Sequence, residues 1–312
     1  MERIVIALGG NALLKKGEAG FYNQLENARK TSAFLADIVD RGYEVIISHG
    51  NGRQVGAILL QSHIAKEKVP PVPLDAAVAE TQGQIGYSIQ QTLQNELIER
   101  GIKEEVSTVV TQVLVDPTDP AFQNPTKFVG SYYSEQEAKK LKERRGWTMK
   151  EDPRGGWRRV VPSPDPKDIV EKGVVKQLLK NNTIVITVGG GGIPVVSEEE
   201  GYKGVKAVID KDLASELLAE EINADKLVIL TDVEKVMLNF GTSNQQPIDR
   251  MTAEEAMRYY EKGHFEAGSM GPKVKAGIRF AKSGEGRRCI IAHLKNGASA
   301  VEENAGTVIY SK

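Results

Sequence analysis

An α/β fold, a three-layer αβα sandwich around a mostly parallel central sheet with a small inserted lid subdomain, follows from three features of the sequence. β-Branched runs alternate with amphipathic stretches, and strand–helix–strand alternation implies parallel strands joined by right-handed crossovers. Three of these runs end in glycine: Arg3–Leu8 enters Gly9-Gly10-Asn11, Glu44–Ser48 enters His49-Gly50-Asn51-Gly52, and Thr183–Val188 enters the glycines at 189–192. The stretch 116–166 breaks the alternation. A lone glycine pair would be read as a flexible turn. Three strands ending the same way predict one sheet edge lined with turns, where main-chain N–H groups approach an anion without a Cβ in the way.

Taken in order, Ile4–Leu8 reads as a buried strand. Asn23–Arg41 has helical spacing and stops at Gly42, a natural residue just past a helix end. Tyr43–Ser48 is the next strand. Gln54–Lys66 and Asp75–Arg100 are helical on either side of Pro70-Pro71-Val72-Pro73, and Val106–Val115 is predicted as one strand. Residues 116–166 carry seven of the 13 prolines, both tryptophans (Trp147 and Trp157) and the basic cluster 154–159. That length exceeds an ordinary connection, so a subdomain projecting over an active site is expected. A disordered linker is the alternative, opposed by the tryptophans and Tyr132-Tyr133.

A helix over Ile169–Lys180 then precedes the strand opening at Thr183. Pro194–Ile209 predicts a hairpin turning at Glu198–Tyr202, and Lys211–Ile222 an amphipathic helix. Leu227–Leu230 is a strand ending at Thr231-Asp232. Thr252-Ala-Glu-Glu255 fits a capping box, and Pro272 suits the first position of a helix running to Ser283. Cys289–His293 and Thr307–Tyr310 complete about seven sheet strands plus a hairpin. The whole chain, 1–312, reads as one domain, with 116–166 inserted and 183–312 forming a nucleotide-binding half.

Composition narrows the function. A net charge of −1 gives no general attraction to nucleic acid or an anionic membrane, so any anion site is local. No apolar run approaches the ~20 residues that span a bilayer. Met1-Glu2-Arg3 leads straight into a strand without a visible signal peptide, and the cytoplasm is the expected compartment. The single cysteine, Cys289, lies in an apolar run and reads as a core thiol. The four histidines are scattered without metal-ligand spacing; His49, beside a glycine turn, has both a structural and a functional reading.

No Gly-x4-Gly-Lys-Ser/Thr occurs, and the glycines of 50–56 misfit the dinucleotide fingerprint, which disfavours a dehydrogenase. Three lysines stand out by context. Lys127 lies in Asn124-Pro-Thr-Lys127, Lys211 between Asp210 and Asp212 at a strand-to-helix junction, and Lys273 after Gly268-Ser-Met-Gly-Pro272. A cation at a helix N-terminus opposes the macrodipole unless an anion sits between. Fixed ammonium groups and N–H turns around a charged phosphoryl group are what phosphoryl transfer requires.

Together with Ala7-Leu-Gly-Gly-Asn-Ala12, Ser48-His-Gly-Asn-Gly52, Gly156-Trp-Arg-Arg-Val-Val-Pro-Ser-Pro164, Gly189-Gly-Gly-Gly-Ile-Pro194 and Ala207-Val-Ile-Asp-Lys-Asp-Leu213, these segments resemble the carbamate kinases of the amino-acid-kinase superfamily over essentially the whole chain. The resemblance implies reversible phosphoryl transfer between ATP and carbamate, giving ADP and carbamoyl phosphate, in a homodimer. It assigns catalysis to Lys127, Lys211, Asp212 and Lys273. Gly9, Gly10, Asn11, Gly50, Asn51 and Gly52 would bind carbamate and the phosphoryl group, and Gly190, Gly191, Thr231, Asp232 and Met270 the nucleotide. Mg²⁺ would be held mainly by ATP oxygens and water, with no dedicated protein ligand. Arg53 and Phe128 stand where the family pattern has proline. A kinase for another small acid, or a non-catalytic nucleotide sensor on the same fold, are the alternatives.

Overall fold

The computed structural model describes residues 1–14, 18, 20–152, 155–266 and 268–312, with the side chain of Asn11 outside that set. Arg154, part of the basic cluster, also lies outside the described residues. The first half contributes β1 (Arg3–Leu8), α1 (Phe21–Asp40), β2 (Glu44–His49), α2 (Gly52–Ala65), α3 (Leu74–Glu99), β3 (Val106–Thr108) and β4 (Gln112–Val115). The stretch that interrupts the alternation holds β5 (Lys127–Tyr133), α4 (Glu135–Arg145), β6 (Met149–Glu151) and β7 (Trp157–Val161). The chain continues through β8 (Pro166–Ile169), α5 (Lys172–Lys180), β9 (Ile184–Ile186), β10 (Ile193–Glu198), β11 (Gly201–Gly204), α6 (Lys211–Glu221) and β12 (Lys226–Thr231). It ends with β13 (Val236–Leu238), β14 (Gln246–Ile248), β15 (Arg250–Thr252), α7 (Ala253–Glu261), α8 (Met270–Lys282), β16 (Arg288–His293), α9 (Gly297–Val301) and β17 (Thr307–Tyr310).

Eight strands form the central sheet in the order β15-β17-β16-β12-β1-β2-β9-β3. All its pairings are parallel except β16 with β17. Period-two alternation along β1 divides the core. Val5 and Ala7 face one cluster with Leu213, Leu218, Val274 and Phe280. Ile4, Ile6 and Leu8 face the other with Leu35, Ile85 and Leu93. Helices α5, α6, α7 and α8 therefore cover one face, and α1, α3 and α9 the opposite one. Leu8 is in register with both His49 and Leu230, so the C-terminal ends of β1, β2 and β12 open onto the same edge.

The run expected as one strand, Val106–Val115, is two. β3 pairs with β9 in the central sheet, whereas β4 leaves it to join β8, β10 and β11 in a second sheet. The bend is held at Thr111: its hydroxyl donates to the Val109 carbonyl at 2.7 Å, and the Gln82 amide clasps its N–H and C=O at 2.8 and 3.0 Å. β-Branched composition does not disclose such a corner, because both halves keep buried positions, at Val106 and at Val113 and Val115. Two helix starts also shift. Ile169 closes β8, so α5 begins at Lys172, and Pro272 is the third residue of α8, still within the turn whose N–H groups have no helical acceptor. The capping box at Thr252 and Glu255 is present.

The interrupting stretch forms a three-stranded antiparallel sheet, β5-β7-β6. Its cations lie over its aromatic rings: Arg159 and Arg145 over Trp147 at 4.7 and 5.6 Å, and Lys142 over Trp157 at 4.9 Å.

Between α6 and α8, Glu216 is buried at 3 % exposure. Burial pushes its carboxyl up from the ordinary 4.5 to about 8, against the nearby positive charge of Arg279. An acid whose folded pKa is raised holds its proton longer folded than unfolded, so its contribution falls as pH rises from 4.5 through about 8. Glu216→Gln, which mimics the protonated form, is expected to match the parent in Tm near pH 5 and exceed it near pH 9. Parallel Tm–pH curves would contradict this.

Candidate active site

The turns after β1, β2 and β12 meet at the sheet edge. The Gly9 N–H donates to the Leu230 carbonyl at 3.0 Å and the Gly50 N–H to the Leu8 carbonyl at 2.9 Å. A Cβ on Gly9 would lie 2.8 Å from the Leu230 oxygen, and one on Gly50 3.3 Å from the Gly10 nitrogen. Glycine is required there by close backbone approach. Above this edge opens a cleft of about 1180 Å³ lined by Gly9, Gly10, Lys211, Thr231, Asp232 and Lys273, among others.

Lysines and acids are organised in two sets. Lys211 opens α6 and Lys273 lies in the first turn of α8, as their contexts predict. Asp212, 4 % exposed in its side chain, takes the Lys211 ammonium on one carboxylate oxygen and the Lys273 ammonium on the other at 3.0 Å. Burial raises its pKa, but the two positive charges and their hydrogen bonds overcome this and hold it well below the carboxylate range. Burial pulls Lys211 down, a shift that the charge of Asp212 only partly opposes. For Lys273 burial also acts downward, yet the charge and hydrogen bond of Asp212 outweigh it. The second set is Lys127, which reaches across from β5 to Asp210 at 2.6 Å. Lys211 and Lys273 line the cleft with Lys30 and Lys295, facing Asp152, Asp232 and Glu266, and fixed ammonium groups in such a place suit a polyanion.

The sheet edge does not gather every candidate. The glycines at 189–192 are buried and serve packing. A Cβ on Gly189 would meet His49 Nε2 at 2.4 Å, one on Gly190 would meet Asn51 Nδ2 at 2.2 Å, and one on Gly191 would meet the Ile209 oxygen at 2.4 Å. Gly190 and Gly191 thus lie beneath the site and do not line the cleft. Their role is indirect, since Gly190 makes room for Asn51, whose amide donates to Thr81 Oγ1 at 2.8 Å. Gly190→Ala, at φ +66°, is expected to cost about 1–3 kcal/mol through overpacking and to displace Asn51. Denaturant melts would show the first effect, and unchanged stability would contradict it.

His49 is 1 % exposed. Burial, followed by the Lys211 charge, lowers its pKa to about 4 against the opposing Gly50 carbonyl, so it is neutral at neutral pH. It belongs to the support under the turn, the structural reading. Gly52 starts α2 and Arg53 follows it, inside the turn where N–H groups lack helical acceptors, a position compatible with proline. Met270 packs against the core beside Lys273 and is not among the residues that line the cleft.

Three contributors carry no site role in the sequence reading. Asp210 holds Lys127 across a separation of 83 residues. Phe128 and Asp152, from the interrupting stretch, line the cleft, and Asp152 pairs with the Arg158 guanidinium at 3.0 Å. The acid beside Lys211 was a visible signal for the first; none marked Asp152. Among the described residues no three His, Cys, Asp or Glu side chains gather as a metal site, and no helix is long and apolar enough to cross a membrane.

Glycine turns at the end of a parallel sheet, facing lysines in the first turns of two helices, define a phosphotransferase site. The chain belongs to the amino acid kinase family, whose pattern matches residues 2–293. It is 55 % identical to the carbamate kinase of Pyrococcus horikoshii and 53 % identical to that of Pyrococcus furiosus, in each case over 99 % of both chains. Among solved structures, carbamate kinase from Giardia lamblia bound to AMP-PNP superposes with a TM-score of 0.92 at 43 % identity, covering 100 % of this chain and 99 % of that one.

Proposed function

We propose that the chain catalyses reversible phosphoryl transfer between ATP and carbamate, giving ADP and carbamoyl phosphate. The observation that carries this reading is the cleft in which Lys211 and Lys273, both fixed by Asp212, face the turns at Gly9 and Gly10. Transfer through a loose, highly charged transition state asks a protein mainly for positioning and charge. Lys211 would contact the moving phosphoryl group and Lys273 the nucleotide phosphates, beside Thr231 and Asp232. The N–H groups of the turns at 9–11 and 50–52 would hold carbamate. The identity to carbamate kinases supports the choice of acid.

Asp212 is engaged by two ammonium groups, and among the described residues no three His, Cys, Asp or Glu side chains gather as a metal site. A divalent cation fits as a passenger on the nucleotide, and we assign Mg²⁺, held by phosphate oxygens and water. When bound it would offset phosphate charge; the lysines and N–H turns do the positioning. Residues 116–166 are proposed as a lid that brings Lys127 to the site and excludes water, 183–312 as the nucleotide-binding half, and the assembly as a homodimer.

The choice of acid is tested by comparing phosphoryl donors to ADP. Carbamoyl phosphate is expected to exceed acetyl phosphate in kcat/KM. Equal or better use of acetyl phosphate would move the assignment to a kinase for another small acid.

A further inference from the structure

The interrupting stretch meets the body along a seam set by the segment that leads into α6. Val208 donates its N–H to the Pro162 carbonyl at 3.0 Å, just past β7. Its side chain shares a small apolar cluster with Val129 and Val161 of the subdomain and Val55, Ala77 and Val78 of the body. At Gly56 of α2 the contact is tighter still, since a Cβ there would lie 3.1 Å from the Gly130 Cα of β5. Two residues beyond Val208, the same segment ends in Asp210.

Both carboxylate oxygens of Asp210 are used. Oδ1 accepts the Asp212 N–H at 3.0 Å and caps α6. Oδ2 accepts the Lys127 ammonium at 2.6 Å. The cap fixes the orientation of the carboxylate, so the second oxygen is presented to the subdomain at a defined place. An acid is also favoured at this helix N-terminus, whereas Lys127 alone would be repelled from it. Lys127 is one-third exposed, and without a partner its ammonium would turn toward water. Asp212 performs the corresponding task for Lys211 and Lys273 from inside the same helical turn.

We infer that Asp210 is the positioning residue for Lys127: by capping α6 with one oxygen and holding the ammonium with the other, it fixes the subdomain's lysine at the cleft before substrate arrives. The inference rests on the role proposed above for Lys127. It differs from a competitor's role, in which Asp210 would withhold the lysine from phosphate and its removal would speed transfer.

A double-mutant cycle on the intact chain decides it, with kcat and KM measured for the parent, Lys127→Ala, Asp210→Asn and the double variant. Asparagine caps helices about as well as aspartate, so Asp210→Asn removes the ion pair while keeping the cap. The expected result is a kcat lower by about 10–10²-fold, the scale of a misplaced group, with KM for ADP nearly unchanged. The double variant is expected within about twofold of Lys127→Ala, because one interaction cannot be lost twice. Asp210→Glu should recover part of the rate. Asp210→Ser, which also keeps a capping oxygen, repeats the test if the asparagine variant does not fold. Parent-like or faster turnover of Asp210→Asn alongside a slow Lys127→Ala overturns the inference alone, as does a multiplicative loss in the double variant. Parent-like turnover of Lys127→Ala overturns the lid-lysine reading beneath it.

Discussion

Replacing Lys211 by alanine is expected to lower kcat by about 10²–10³-fold, the usual scale for removing one preorganised electrostatic group from a transition state. Lys211 lines the cleft, opens α6 and is tied to Asp212. Its Cδ lies 3.5 Å from the position a Cβ on Gly50 would take, which places its stem against the turn assigned to carbamate. The fold should survive the change. Asp212 keeps Lys273, and the backbone carbonyl of Lys211 still accepts from Ser215 Oγ at 2.6 Å. Rapid-quench measurement of ATP formation would check the chemical step. A folded variant with near-parental kcat would remove Lys211 from the mechanism.

Asp212→Asn should do damage of two kinds. It leaves two largely buried ammonium groups without their carboxylate, a loss on the order of 3–5 kcal/mol when one partner of a buried ion pair is removed. It also alters protonation. Burial already lowers the pKa of Lys211 and the charge of Asp212 opposes that shift, so removing the charge lowers it further. Neutral lysine stabilises no phosphoryl charge. Lys211 of the variant should lose its proton at a lower pH than in the parent, so the rate relative to the parent should improve as pH falls. Urea melts and a pH–rate profile check the two effects. Parental stability with an unchanged profile would mean that the lysines do not depend on Asp212.

These expectations separate what the sequence discloses from what it conceals. The strands ending in glycine, the layering and the helix-start lysines were all legible, because periodicity and capping are local. The four glycines at 189–192 read in the sequence as an anion nest, and the structure packs them against His49, Asn51, Ile209 and Val113. Local sequence cannot distinguish a glycine that admits a ligand from one that admits His49 or Asn51. The corner at Thr111 was hidden for a related reason, since its partners Gln82 and Thr187 are distant in sequence. The partnership of Asp210 spans 83 residues, and the place of Asp152 on the cleft exists only after the subdomain is docked. Local signals thus located Lys211, Lys273 and the turns, but not the tertiary pairings that fix them.

This cleft moves a phosphoryl group between carbamate and a nucleotide. The most direct test is to incubate the purified chain with carbamoyl phosphate, ADP and Mg²⁺ and to measure ATP against time. ATP is expected to form in a way that depends on all three components and on Lys211, with carbamoyl phosphate consumed one for one. Tight ADP binding with no ATP formed would contradict it and leave the fold as a nucleotide sensor.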